Sequence, residues 1–161
     1  MVPIRVFILD GRPLHMQWRW KKFQELNIEE LYEIIRLRER VFVVEQNCVY
    51  LDADGLDLSA WHLMGFDQNQ LVTYLRVLPP GIKFQEVSFG RVVTAPEARK
   101  KGYGKELSKQ AIQKIEQTWG PVHIRISAQA YLENFYGGFG FKREGSGYLE
   151  DGIPHIEMLR G

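Results

Sequence analysis

Residues 92–107 read Val-Val-Thr-Ala-Pro-Glu-Ala-Arg-Lys-Lys-Gly-Tyr-Gly-Lys-Glu-Leu, and this stretch decides the fold. Apolar β-branched residues end a strand, three consecutive cations fill a loop, and Gly102 and Gly104 open a helix. The first turn of a helix has backbone N–H groups without an intrahelical partner, and the helix dipole places partial positive charge there. Glycines let that backbone approach a ligand closely. The stretch therefore predicts a binding site for a diphosphate.

Other structures fit parts of the same stretch. A solvated basic loop ahead of an ordinary helix would use the same residues. Gly102 and Gly104 also form half of the Rossmann dinucleotide fingerprint, but Leu107 stands where the third glycine belongs, and residues 122–128 carry no acid for a ribose. A nucleotide P-loop is excluded because no Gly-Lys-Ser/Thr triplet is present. The diphosphate site and the solvated loop both remain open.

The flanking segments predict a mixed α/β domain. Asn27, with Glu30 three residues later, is a capping box that starts a helix of about four turns. Further helices are predicted at 102–119 and 131–139. Strands are predicted at 16–23, 61–67, 71–78, 87–94 and 122–128, and two more begin at Phe141 and Ile153. A central, mostly antiparallel sheet flanked by helices, with one strand–helix–strand crossover, fits this order best.

Composition narrows the class of protein. The 161 residues are 45% apolar and 25% charged, with a net charge of +1, so neither nucleic acid nor a membrane is an expected partner. No run approaches the ~20 apolar residues of a membrane span, and a cytoplasmic location is the default expectation. The single cysteine, Cys48, cannot build a disulfide framework or a thiolate zinc site. Residues 1–15 are an expected N-terminal extension, either an extra strand or a non-native start, ahead of a domain at 16–161.

Two motifs resemble one known family. Residues 99–104 resemble the acetyl-CoA signature of the GNAT superfamily of N-acetyltransferases, Arg/Gln-x-x-Gly-x-Gly/Ala. Residues 135–141 are similar to its second element, Phe-Tyr-x-x-x-Gly-Phe. Segments 40–57 and 151–158 are similar to the ElaA-type branch of that superfamily. The resemblance covers about residues 16–160, which is nearly the whole chain.

The resemblance implies a fold and a site. The fold would be that of acyl-CoA N-acyltransferases, with strands 87–94 and 122–128 splayed apart as a parallel pair, and acetyl-CoA would be the co-substrate, with no metal. An amide near Val92 would hold the acetyl carbonyl oxygen, and Tyr136 would give its proton to the departing thiolate. The predicted coenzyme-binding residues are Val92, Val93, Thr94, Arg99, Lys100, Lys101, Gly102, Tyr103, Gly104 and Lys105.

The acceptor is expected to be a primary amine on a small molecule or a peptide. An amine attacks a thioester only when unprotonated, so a base must remove a proton directly or through water. Glu45, after the first helix, and His155, in a C-terminal strand, are the base candidates, with His62 and Glu86 as weaker options. A non-catalytic acyl-CoA-binding module is the alternative function, although such a module has no need of Tyr136. A homodimer is left open.

Charged side chains outside these motifs carry further predictions. The loop acids Asp52, Asp54 and Asp57 either cap turns or attract a cationic amine. A calcium loop is excluded because the glycine and the twelfth position do not fit. The arginines of residues 36–40 are predicted to form a solvated helix face. Arg91 either orients an acid in the site or makes a structural ion pair.

Overall fold

The computed structural model describes residues 7–9, 12–14 and 16–161. Two short strands, β1 (Phe7–Leu9) and β2 (Arg12–Leu14), pair antiparallel with each other. The rest of the predicted extension at 1–15 lies outside the described residues. Its boundary with the following domain therefore stays a prediction.

A seven-stranded sheet in the order β3-β4-β5-β6-β7-β9-β8 forms the centre of the domain. Its neighbours pair antiparallel except β6 and β7, which are parallel. This confirms the predicted mixed α/β fold with a mostly antiparallel sheet. The strands are β3 (Met16–Lys22), β4 (Trp61–Asp67), β5 (Gln70–Leu78), β6 (Val87–Thr94), β7 (Ile124–Gln129), β8 (Lys142–Glu150) and β9 (Ile153–Arg160).

Helices cover both faces of the sheet. They are α1 (Ile28–Arg38), α2 (Tyr103–Trp119) and the short α3 (Glu133–Gly137). Because successive strand residues face opposite sides, Leu75 packs in the same core cluster as Leu107 of α2, whereas its neighbour Tyr74 packs with Ile34 of α1. The sheet is thus the middle layer of three.

The first helix confirms its predicted start and departs from its predicted end. Asn27 Oδ1 accepts from the Glu30 amide at 2.7 Å, and Glu30 Oε2 accepts from the Asn27 amide at 3.1 Å. The α-helical part ends at Arg38 and continues as a π-helical segment, Glu39–Glu45. π-helical turns are rare in proteins, and those that occur often lie at functional sites. This one ends at Glu45, a candidate catalytic residue.

Three arginines and three aspartates form an alternating ring of ion pairs, which we call the charge ring. Each aspartate contacts two of the arginines, with N–O distances of 2.6 to 3.2 Å. The ring ties α1, the loop before β4, β5 and β6 together, and its members in order are Arg38, Asp52, Arg91, Asp54, Arg76 and Asp57.

The charge ring corrects two predictions. Arg38 is 1% exposed, so its placement on a solvated helix face was wrong. The predicted attraction of a cationic amine by Asp52, Asp54 and Asp57 was also wrong, because arginines already neutralise all three carboxylates. One predicted turn-capping contact is present, from the Leu56 amide to Asp54 Oδ1 at 3.0 Å.

Replacing Arg38 with alanine should destabilise the fold by about 3–5 kcal/mol, because Asp52 and Asp57 would lose a buried partner. Urea unfolding of the purified variant measures the loss. Arg40→Ala is the matched control: its side chain is half exposed against Glu97, and such a pair contributes about 0–1 kcal/mol. Equal losses in the two variants would show that the buried pairing of Arg38 is not what stabilises this region.

Acid should weaken the charge ring. Burial raises the pKa values of Asp54 and Asp57, but hydrogen bonds and charges from Arg76 and Arg38 outweigh it, so both pKa values lie below the ordinary value. Aspartates of the unfolded chain titrate near pH ~3.9. The unfolded chain therefore binds protons first, and the stabilisation present above about pH 4 is lost as pH falls toward the folded-state pKa values. Urea unfolding across pH 2–5 should show this decline, and Asp54→Asn should make it shallower.

Candidate active site

A cavity opens where the two parallel strands separate. β6 and β7 pair only at Val87 with Ile124 and Ser88 with Arg125, and then diverge. The gap forms a cavity of about 540 Å³. Its walls come from both strands, the π-helical segment, the loop that follows it, the region around α3, and the β8–β9 turn.

A β-bulge in β6 shapes one wall. Gly90 lies opposite Arg76 and Val93 lies opposite Tyr74, so Arg91 and Val92 share one position on β5. Arg91 takes a φ of +52°, which is unusual for a residue with a side chain. Val92 and its neighbours face the gap without a partner strand in β7. The cavity lining on this side is Phe89, Gly90, Arg91, Val92, Val93, Thr94 and Arg99.

The turn before α2 adjoins this wall. Gly102 caps α2 in the left-handed region, with φ of +80°. Within residues 16–161, the backbone amides of residues 100–105 donate to no main-chain carbonyl. A Cβ placed on Gly104 would meet only Thr94 Oγ1, at 4.0 Å, so the space above the turn is open. This geometry fits a diphosphate.

The side chains of this turn divide into two groups. Lys100, Lys101 and Lys105 are exposed, so their charges are available to an anion. Tyr103 is buried in the α1 cluster, and its hydroxyl donates to Asp67 Oδ2 at 2.8 Å. Tyr103 is one of the predicted coenzyme-binding residues, but only its main chain can contact a ligand, because its side chain is buried.

Tyr136 stands on the opposite side of the gap, on α3. Its ring lies among Phe89, Phe135 and Phe141, with centroids 5.0 to 6.1 Å away. The residue is only 4% exposed, yet it lines the cavity. Burial raises its pKa well above the ordinary value for tyrosine, so the hydroxyl stays protonated. No partner within residues 16–161 binds this hydroxyl.

Both leading base candidates line the cavity. Glu45 ends the π-helical segment, and its Oε1 lies 2.7 Å from Arg99 Nη2. His155 Nδ1 lies 2.7 Å from the Ile153 carbonyl oxygen. Because a carbonyl can only accept, Nδ1 carries a proton, and Nε2 is the ring nitrogen whose lone pair can accept one. Nε2 lies 3.4 Å from Glu150 Oε2.

The two weaker base candidates lie elsewhere. His62 is fully buried between the Tyr74 hydroxyl and the Asp57 carbonyl, and burial lowers its pKa. Glu86 accepts from Arg125 at the start of the parallel pair. Neither residue lines the cavity, so neither is part of the candidate site.

Several lining residues were missed in the sequence. They include Tyr50, Lys83, Ser127, Gln129, Tyr131 and Glu150. The position of Glu150 in the turn next to His155 was a usable signal, whereas nothing local marks Tyr50 or Ser127. Cys48, which the sequence placed in no role, also lines the cavity.

Within residues 16–161, no group of three or more His, Cys, Asp or Glu side chains is arranged to hold a metal ion. The helices of the same region are all too short or too polar to cross a bilayer.

Residues 56–160 match the family model described as an acetyltransferase (GNAT) domain. The chain belongs to the GNAT acetyltransferase family. A UPF0039 protein from Synechocystis is 43% identical over 91% of this chain and 96% of its own length. The crystal structures of an acyl-CoA N-acyltransferase from Pseudomonas aeruginosa and of Escherichia coli ElaA match with TM-scores of 0.87 and 0.85, at 43% and 37% identity. Each match covers 91% of this chain and 99% of the other.

These similarities confirm the GNAT superfamily, which the motifs at 99–104 and 135–141 indicated, and its ElaA-type branch, which segments 40–57 and 151–158 indicated. They also confirm the acyl-CoA N-acyltransferase fold with its splayed parallel pair. Membership of this family makes the chain an acyl-CoA-dependent acyltransferase, with acyl-CoA as co-substrate.

Proposed function

We propose that this GNAT protein transfers the acetyl group of acetyl-CoA to a primary amine of a small molecule or peptide. One observation carries the proposal. A single cavity brings together the open edge of β6 at Val92 and Val93, the protonated hydroxyl of Tyr136, and two candidate bases. Those are the groups that direct attack of an amine on a thioester requires.

The free amides of residues 100–105 would bind the coenzyme diphosphate, with the exposed lysines and Arg99 adding charge. The amide-bearing arm of the coenzyme would lie along the open edge of β6. Space at Gly104 supports this placement because no side chain blocks the turn. No metal is needed, since the amide of Val92 would stabilise the oxyanion.

The reaction proceeds without a covalent enzyme intermediate. The unprotonated amine forms a C–N bond to the thioester carbon, and the carbonyl electrons move to the oxygen held by Val92. Collapse of this tetrahedral species breaks the C–S bond. Tyr136 hydrogen-bonds to the departing sulfur and supplies a proton as the thiol leaves, and it recovers a proton from solvent. The base takes the proton that the amine loses.

Geometry favours His155 over Glu45 as that base. The lone pair of Nε2 is free in the neutral tautomer, and Glu150 stands 3.4 Å away to stabilise the imidazolium that forms. The carboxylate of Glu45 is instead paired with Arg99, a residue proposed to bind the coenzyme.

His155→Phe should lower kcat/KM at neutral pH by about 10²–10⁴-fold, the usual contribution of general base catalysis. The deficit should shrink as pH rises, because a lysine-like acceptor with a pKa near ~10.4 then deprotonates without help. A pH–rate profile tests this, with Glu45→Gln as the matched variant. Rescue at high pH in Glu45→Gln instead of His155→Phe would transfer the role to Glu45.

The function itself is tested by release of free thiol from acetyl-CoA across a panel of small amines, polyamines, amino acids and lysine peptides. Calorimetry with acetyl-CoA, CoA, NAD and ATP accompanies it. Coenzyme binding without turnover of any amine would favour the acyl-CoA-binding module, and failure to bind acetyl-CoA would remove both functions.

A further inference from the structure

We propose that Arg91 is a positioning residue, which holds the β6 bulge, and with it the Val92 amide, in place through the charge ring. This inference rests on the proposed function, because it concerns the main-chain group that would bind the acyl carbonyl oxygen. Arg91 acts here through its neighbour Val92.

The bulge needs to be held. A residue with a Cβ at φ of +52° pays a conformational penalty that glycine avoids. Such a conformation persists when the surrounding structure fixes it. β7 does not, since its pairing with β6 ends at Ser88.

Pairing with β5 holds the residues on either side of the bulge, and the side chain of Arg91 adds a constraint at the bulge itself. Its Nε lies 2.8 Å from Asp52 Oδ1, an ion pair without hydrogen-bond geometry. Its Nη2 donates to the Asp52 carbonyl and to Asp54 Oδ2, each at 3.2 Å. A guanidinium that reaches two partners at once has a defined orientation as well as a position.

Those partners are themselves fixed. Asp52 is 7% exposed and accepts from Arg38 Nε at 2.8 Å and from the Tyr50 hydroxyl at 2.7 Å. Asp54 accepts two bonds from Arg76, at 2.7 and 2.9 Å. The bulge is therefore anchored to α1 and β5 through ion pairs, in addition to the pairing of Gly90 and Val93 with β5 on either side of it.

The same contacts reach another wall of the cavity, formed by the loop after the π-helical segment. Tyr50 lines the cavity, and the Arg91 guanidinium lies 5.8 Å from its ring centroid. The loop that carries Tyr50 and Asp52 is thus fixed against the strand that would bind the acyl group. The charge ring thereby sets the spacing between these two walls, and an error of about 1 Å in such a spacing can cost about 10²-fold in rate.

Two substitutions separate the side-chain anchor from the backbone conformation. Arg91→Gly adopts a positive φ without strain but loses the anchor. Arg91→Lys keeps the charge but cannot contact both aspartates through a planar fork. Arg125→Lys is the matched control, because Arg125 also bridges several carboxylates, those of Glu86, Glu144 and Glu157, but does not line the cavity.

We expect both Arg91 variants to lower kcat by about 10–100-fold, with the affinity for CoA within about twofold of wild type. The preference for acetyl-CoA over CoA, measured by calorimetry, should fall, because the acetyl group would lose its positioned donor. Arg125→Lys should keep both kcat and that preference. An Arg91→Gly protein with wild-type kcat and preference would overturn the inference.

Hydrogen exchange tests the anchor without any substrate. Amides of residues 50–57 and 91–94 should exchange faster in Arg91→Gly, whereas those of α2 should not change. If wild-type protein acetylates no amine, the proposed function fails, and this exchange comparison still decides whether Arg91 holds the bulge. Unchanged exchange in both segments would refute the anchor even in an active enzyme.

Discussion

Tyr136→Phe is expected to lower kcat by about 10²–10⁴-fold, the range of general acid catalysis, while leaving the affinity for acetyl-CoA nearly unchanged. The ring is packed among three phenylalanines, and phenylalanine keeps that packing. The substitution therefore removes one hydroxyl from the cavity and little else. Free-thiol release gives kcat, and calorimetry gives the affinity.

The raised pKa of Tyr136 defines what the hydroxyl contributes. An ordinary thiol has a pKa of about 8.5, so moving the proton from this phenol to a free thiolate is uphill by itself. The hydroxyl therefore acts first as a hydrogen-bond donor while charge develops on sulfur, and the proton it supplies as the C–S bond breaks is replaced from solvent. Tyr131→Phe is the matched control, because Tyr131 lines the same cavity but is largely exposed. A slow Tyr131→Phe enzyme beside a normal Tyr136→Phe enzyme would move the acid to Tyr131.

Gly104→Asp should weaken CoA binding by roughly 1–4 kcal/mol, the repulsion of two like charges about 4 Å apart near a protein surface, which is about five- to thousand-fold in Kd. The added carboxylate would lie in the turn proposed to bind the diphosphate. The fold should tolerate the change, because the added Cβ meets only Thr94 Oγ1 at 4.0 Å. Calorimetry with CoA measures the affinity, and thermal unfolding checks the fold.

Gly104→Asn is the control for size, since it has the same shape as aspartate without the charge. If the electrostatic argument holds, asparagine weakens CoA binding much less than aspartate, and added salt narrows the difference. Undiminished binding in Gly104→Asp would mean that the turn does not bind the diphosphate.

The parts of the fold that sequence predicted are those with local signals. The capping box at Asn27, the two glycines that open α2, and the alternating strands around 61–78 all act over a few residues. The end of α1 was less predictable, because apolar spacing up to Val41 does not distinguish an α-helix from the π-helical segment that follows Arg38.

In the candidate site, too, some features were predicted before the structure and others depend on contacts between distant residues. Glu45, Tyr136 and His155 do line one cavity, a placement that followed from the resemblance and not from spacing. The charge ring could not be predicted from the sequence, because its members are far apart in the chain. Arg91 and Asp52, for example, are separated by 39 residues. Such ion pairs form only in the tertiary fold, so the helical pattern alone predicted Arg38 to be a surface residue, although it is buried.

The short pairing of β6 with β7 divides the sheet into two half-sheets that meet over two residue pairs. Beyond those two pairs, the facing edges of β6 and β7 have no hydrogen-bond pairing with each other, and main-chain N–H and C=O groups at such edges need partners from water or a ligand. A ligand arm that carries its own amides can replace that water like an inserted strand. The early end of the pairing between β6 and β7 therefore leaves main-chain groups that a peptide-like ligand can bind.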